Sequence, residues 1–184
     1  MADARARTTL TYDDYLLMPD DGNRHEIIDG EHVVNAAPNL RHQRVAGRLF
    51  VELVHRIEGA ALGEVLIAPV ALALSTIDIV EPDILVVLKG SAARLQETRV
   101  EGPPDLVIEV LSPSTATRDR RRKLKLYEAA SVPEYWIVDP DRCLLHQHVL
   151  EGGSYRLIGS HGTTATAATI PAVVIDLERI FRVE

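Results

Sequence analysis

Cysteine is almost absent. Cys143 stands alone in 184 residues, which excludes an intramolecular disulfide framework and a four-thiolate zinc site. Aromatic residues make up only 4%, so Val, Leu, Ile and Ala must fill the core, and few rings are available to stack on unpaired bases. No apolar run approaches the length of a membrane span, and the N-terminal MADARARTTL carries no apolar signal segment. These absences predict a cytoplasmic protein that makes no use of a membrane. Positive charge is not in excess either: a net charge of −7 argues against generic coating of nucleic acid, because phosphate contacts need local positive charge.

What is present is a globular composition, with 46% hydrophobic and 26% charged residues. The length predicts a single domain over residues 1–184 with a sizeable core. Thr11 to Met18 reads as a short helix, and 25–34 as two strands around the turn Asp29-Gly30. Asn39 is a plausible cap for a helix from Leu40 to Ile57, on which Val45, Ala46, Leu49, Leu53 and Ile57 recur at helical spacing and His42 shares their inward stripe. Residues 63–89 read as two or three strands, and 90–104 as a polar loop. A strand at 105–111, a helix at 118–130, a strand at 134–140, a hairpin around Glu151-Gly152-Gly153 and a terminal strand with a helical turn complete the chain. This order predicts a mixed α/β sheet rather than a bundle or a sandwich.

Two acids break the apolar pattern. Glu109 sits within DLVIEVL (105–111), a short run that suggests a strand covered on both faces, and Asp83 repeats the motif in EPDILVVL (81–88). An ionised carboxylate there loses its hydration unless a cation, a metal or several donors replace it. Glu26, beside Ile27 and Ile28, is a third candidate acid. For each acid alone, a structural salt bridge or cap is as good an account as a metal role. The following helix holds six cations (Arg118, Arg120, Arg121, Arg122, Lys123 and Lys125) against Asp119, a local net of +5 that leaves −12 for the rest. Such a run is usually a solvated face. Lys123, however, lies three, four and seven residues before Leu126, Tyr127 and Ala130, which turns it towards the sheet, whereas Lys125 aligns with the more exposed Glu128 and Ala129. The plain alternative for Lys123 is an i,i+4 pair with Asp119.

Other polar groups have simpler readings. Ser112, Ser114 and Thr115 read as loop and cap residues, and Cys143 as packed. His146 and His148 share one side of a strand but have no nearby third ligand for zinc.

EPDILVV, DLVIEVLSPST and RDRRRKLKLYEAASVPEYWIVDP, together with HEIIDGE, PNLRHQRVAGRL and AVVIDLERIF, resemble the Uma-type restriction endonuclease family of the PD-(D/E)XK nuclease superfamily, over nearly the whole chain. The resemblance implies a restriction-endonuclease-like mixed β-sheet flanked by helices, with Mg²⁺-dependent (or Mn²⁺-dependent) cleavage of DNA. By match to the motif, Asp83 is the PD aspartate and Glu109 the second acid. The lysine usually found two residues after that acid is replaced by Leu111, and Lys123 on the next helix matches its role. Glu26 matches a further metal-binding acid. His42 matches a recurrent position and reads either as a support behind the metal ligands or as a packed helix histidine. Arg118, Arg120, Arg121 and Arg122 would clamp the DNA backbone without reading sequence. A homodimer is also implied, because cutting both strands in one encounter takes two active sites. The alternative is a non-catalytic nucleic-acid-binding or interaction module that keeps the fold, in line with the acidic balance outside the basic helix. RNA or branched DNA fits the same residues as well as duplex DNA does.

Overall fold

The computed structural model describes residues 9–112, 118–170 and 173–182, without the side chains of 118–120. In chain order it begins with α1 (Tyr12–Tyr15), β1 (Arg24–Ile28), β2 (Glu31–Asn35) and α2 (Leu40–Ile57). Then come β3 (Gly63–Ile67), β4 (Ala71–Ala73), β5 (Ile79–Val80), β6 (Ile84–Leu88), β7 (Arg94–Leu95), β8 (Arg99–Glu101) and β9 (Leu106–Val110). The remainder is α3 (Arg118–Ala129), β10 (Glu134–Asp139), β11 (Leu144–Glu151), β12 (Ser154–His161), β13 (Thr164–Thr166), β14 (Val174–Asp176) and α4 (Leu177–Phe181). One six-stranded sheet has the order β2-β1-β5-β4-β8-β7, a second has β12-β11-β10-β9-β6-β3, and β13 pairs with β14. The β4–β8 and β9–β10 pairs are parallel, so the mixed α/β class holds, although the chain builds two large sheets and a two-stranded one where one was expected.

The second sheet is covered on both faces, as the apolar runs predicted. Strand alternation sends Ile84, Val86, Leu106, Ile108, Val110, Trp136 and Val138 to one side, where they pack on the inward stripe of α2 and on the C-terminal elements. Leu85, Val87, Val107, Tyr135 and Ile137 go to the other side, against Leu126 and Tyr127 of α3 and Ile28, Leu72, Val80 and Val100 of the first sheet. Glu109 lies between Ile108 and Val110 and so falls on this second face.

Local chemistry fixes the elements. Asp29 and Gly30 have φ of 54° and 70°, the pair of left-handed residues that a two-residue hairpin turn requires. Gly152 and Gly153 (φ 61° and 87°) do the same between β11 and β12. The Asn39 carboxamide accepts from the His42 backbone N–H at 2.9 Å, capping α2.

Two expectations are corrected. Residues 63–89 form four strands, because Pro69 and Pro82 lack the N–H that would continue a ladder and cut each apolar run in two. The stretch 90–104 is not only a loop: it holds β7 and β8, two or three residues long, with Arg94 paired across to Glu101 at 3.2 Å. Strands this short leave no period-two signal to read. Among the described residues, no helix is long and apolar enough to cross a membrane.

Candidate active site

Five elements converge at one end of the second sheet. In the β6–β9 ladder Ile84 opposes Ile108, and one further step brings Asp83 opposite Glu109. From the first sheet, β1 presents Arg24, Glu26 and Ile28 on one face by alternation; Ile28 enters the core while Arg24 and Glu26 reach the acids. The first turn of α2 carries His42, and α3 carries Lys123.

Asp83 is 2% exposed and accepts from three donors. Its Oδ1 accepts from Arg24 at 2.5 Å, and its Oδ2 accepts from the His42 ring at 3.0 Å and the Val110 backbone N–H at 2.7 Å. A carboxylate only accepts here, so His42 carries its proton on Nε2. The other ring nitrogen, Nδ1, is buried without a partner. Lys123 Nζ donates to Glu26 Oε1 and to Glu109 Oε1, each at 2.8 Å. Glu26 also accepts from the Glu81 backbone N–H (2.9 Å) and from Asn35 (2.7 Å). Tyr127, one turn beyond Lys123, donates to the same Glu109 oxygen at 2.8 Å. The second oxygen of Glu109, Oε2, takes no hydrogen bond among the described residues.

The electrostatics differ between the two acids. Burial alone would raise the Asp83 carboxyl, but the hydrogen bond and charge of His42 and the Arg24 guanidinium outweigh it and hold the group below its ordinary 3.8. Burial pushes Glu109 up to about 7; Lys123 opposes this, while Asp83 and Glu26 add to it. Tyr127 is driven upward by burial and then by Glu109, so it stays a phenol that can donate. A cavity of about 40 Å³, lined among others by Arg24, Asn35, Asp83, Glu109 and Ser112, opens between these groups.

The structure brings Asp83, Glu109, Lys123, Glu26 and His42 together. Lys123 reaches Glu109 from the helix, while position 111 carries Leu. Glu26 does not line the cavity: its oxygens hold Lys123, Asn35 and the Glu81 amide. No group of three or more His, Cys, Asp or Glu side chains has a metal-binding arrangement among the described residues. Arg122 is tied to the Ile28 carbonyl at 2.6 Å and to Glu31 at 3.2 Å, bracing α3 on the β1–β2 hairpin. Arg121 is exposed, and the side chains of Arg118 and Arg120, with Ser114 and Thr115, lie outside the described residues. Sequence reasoning missed Arg24, Asn35 and Tyr127. Their signals were faint: Arg24 shares the period-two face of Glu26, Asn35 opposes Arg24 in the hairpin register, and Tyr127 follows Lys123 at i+4.

Comparison with known proteins agrees with this architecture. A solved structure, titled as that of a putative nuclease belonging to DUF820 from Anabaena variabilis ATCC 29413, superposes with a TM-score of 0.74 at 15% identity and covers 94% of this chain and 97% of its own. At that identity the likeness is one of fold. No curated protein matches. The profile of the Uma2 family, described as "Putative restriction endonuclease", matches residues 12–178. That span takes in every element of the site, and the chain belongs to the Uma2 family.

Proposed function

We propose that the protein is a metal-dependent endonuclease that hydrolyses DNA phosphodiester bonds, acting as a homodimer. One observation carries the reading: Lys123 is 6% exposed and bridges Glu26 and Glu109 beside the buried Asp83. A structural ion pair needs one acid for one cation; here three acids gather around Lys123 and Arg24, and one carboxylate oxygen stays uncommitted.

A hard divalent cation fits the donor set. Glu109 Oε2 and Asp83 supply oxygen at a cavity of about 40 Å³, and Mg²⁺ commonly takes one or two carboxylates. Asp83 and Glu109 would hold it, with Glu26 contributing from behind Lys123. When bound, such a cation supplies Lewis-acid polarisation of a phosphoryl oxygen and acidifies the attacking water. The chain does the rest. Lys123 orients that water and offers its ammonium to the charge that builds on the phosphate. Glu26 and Tyr127 fix the positions of Lys123 and Glu109. His42 and the Val110 amide fix Asp83, and Arg24, 22% exposed at its side chain, can turn from Asp83 to a phosphate. Arg121, with Arg118 and Arg120, would contact the DNA backbone.

A second reading, a nucleic-acid-binding module without turnover, has one observation in its favour: both oxygens of Asp83 are already engaged, by Arg24, His42 and the Val110 amide. Calorimetric titration of Mg²⁺ and Mn²⁺ into the wild type and Glu109→Ala, followed by plasmid nicking, separates the two. Metal binding and nicking that are both lost in the variant support the enzyme. A wild type that binds no metal and leaves plasmid intact supports the module.

A further inference from the structure

Away from the acids, the outer face of α2 and the end of the chain form a groove of about 630 Å³ whose charge the active-site chemistry does not use. Arg44 and Arg48 of α2 line it on one side, and Arg179 and Arg182 on the other. Arg48 shapes the groove by donating to the carbonyls of Ile180 (3.2 Å) and Arg182 (2.5 Å). The guanidinium groups of Arg44, Arg179 and Arg182 have no hydrogen-bond or ion-pair partner among the described residues. The acid at the rim, Glu52, is neutralised by Arg56 at 2.6 Å. A protein of net charge −7 thus gathers four guanidinium groups in one concave surface.

The floor is bare as well as basic. Gly47 lies in the interior of α2, where Gly costs roughly 0.5–1 kcal/mol relative to Ala, and a Cβ added there would meet nothing within 4 Å. Packing within the chain therefore does not require this glycine. Its absent side chain leaves helix backbone open at the base of an arginine-walled channel.

The groove and the acids flank a common depression. The active-site cavity shares Arg24, Pro38 and Glu81 with a neighbouring depression, and that depression shares Gln43 with the groove. We infer that the α2–α4 groove binds the phosphodiester backbone of the DNA that enters the Asp83–Glu109 site, gripping it away from the scissile bond. The inference rests on the reading that the protein acts on DNA. Arginine suits the task because its planar fork pairs with phosphate oxygens in two-point contacts, and such contacts position a duplex without reading its sequence.

The test uses the full chain and a fluorescein-labelled DNA duplex, with anisotropy measured in EDTA over a salt series. The double variant Arg44→Glu/Arg179→Glu should weaken binding by at least roughly tenfold and flatten the salt dependence by about two phosphate contacts. Gly47→Leu keeps the helix, since Leu is the better helix former, and should weaken binding by filling the floor. Arg44→Lys/Arg179→Lys should restore most of the affinity. Affinity equal to wild type in both groove variants overturns the inference, as does a wild type that binds neither duplex nor single-stranded DNA. Unchanged DNA binding with an altered sedimentation coefficient also overturns it and makes a second copy of the chain the occupant. Plasmid nicking tests the nuclease reading separately. If Asp83→Asn and wild type both fail to nick while the groove variants lose DNA affinity, the groove stands and the catalytic reading falls.

Discussion

Glu109 and Glu134 stand on adjacent parallel strands, each an acid in an apolar run, and they face opposite sides of the same sheet. Glu134 is 0% exposed and meets neutral donors: the indole of Trp136 (2.6 Å), the carboxamide of Gln147 (2.7 Å), the amides of Ala168 (3.2 Å) and Thr169 (2.8 Å), and the Thr169 hydroxyl (2.6 Å). Both oxygens are fully used, and the carboxylate clasps the segment after β13 to β10 and β11. Glu109 meets one cation and one phenol on a single oxygen, leaves the other open, and borders a cavity. An acid in an apolar strand therefore has two outcomes, Glu134 being fully buried and Glu109 keeping 12% of its side chain exposed. Saturation by fixed donors makes a carboxylate a structural rivet, whereas partial satisfaction beside a cation keeps it available for chemistry.

The comparison can be broken most severely at Glu134. Glu134→Ala leaves five donors facing a void and should cost about 4 kcal/mol, read as a shifted midpoint in urea denaturation; a loss below about 1 kcal/mol would end the rivet account. Next comes Glu109→Gln. Plasmid nicking should fall at least about a hundredfold, while stability at pH 8 stays level or rises, since a costly buried charge is removed. A variant that unfolds instead would put Glu109 in the same class as Glu134.

The third effect is a pH dependence of opposite sign at Asp83 and Glu109. Glu109 is raised from 4.5 to about 7 by burial, so between those values the folded state holds a proton that the unfolded state has released. Stability should fall as pH rises through that window, by at most about 3 kcal/mol, and the slope should disappear in Glu109→Gln. Asp83 is held below 3.8, so its contribution is present above that value and is lost on acidification. Thermal melts across pH check both, with greatest stability expected in mild acid. The smallest effect is Thr169→Val, which removes one of the donors to Glu134 and should cost about 1 kcal/mol in the same urea assay.

These contrasts also explain what the sequence revealed. Lys123 was legible because helical periodicity separates an inward lysine from its exposed neighbours, and Asp83 and Glu109 because acids interrupt strand patterns. Glu134 opens EYWIVD with much the same interruption, yet it is structural, so the pattern alone marks burial rather than chemistry. Its donors, Gln147 and residues 168–169, come from a strand and a turn that no local signal links to it. Arg24 was missed for a related reason: arginine at the start of a hairpin strand is ordinary, and only the docking of one sheet on the other brings it to Asp83. The division into two sheets was equally hidden, since β7 and β8 are held by tertiary pairing rather than by local propensity.

The contacts at the candidate site span long stretches of chain: Arg24 meets Asp83 across 59 residues, and Lys123 meets Glu26 across 97. A nascent or truncated chain that ends before α3 has all three acids but not the ammonium that joins two of them. Competence to cut would then arise only at the close of folding, after both sheets and the helix have docked. For a protein proposed to cut DNA, that delay would withhold the activity by topology alone.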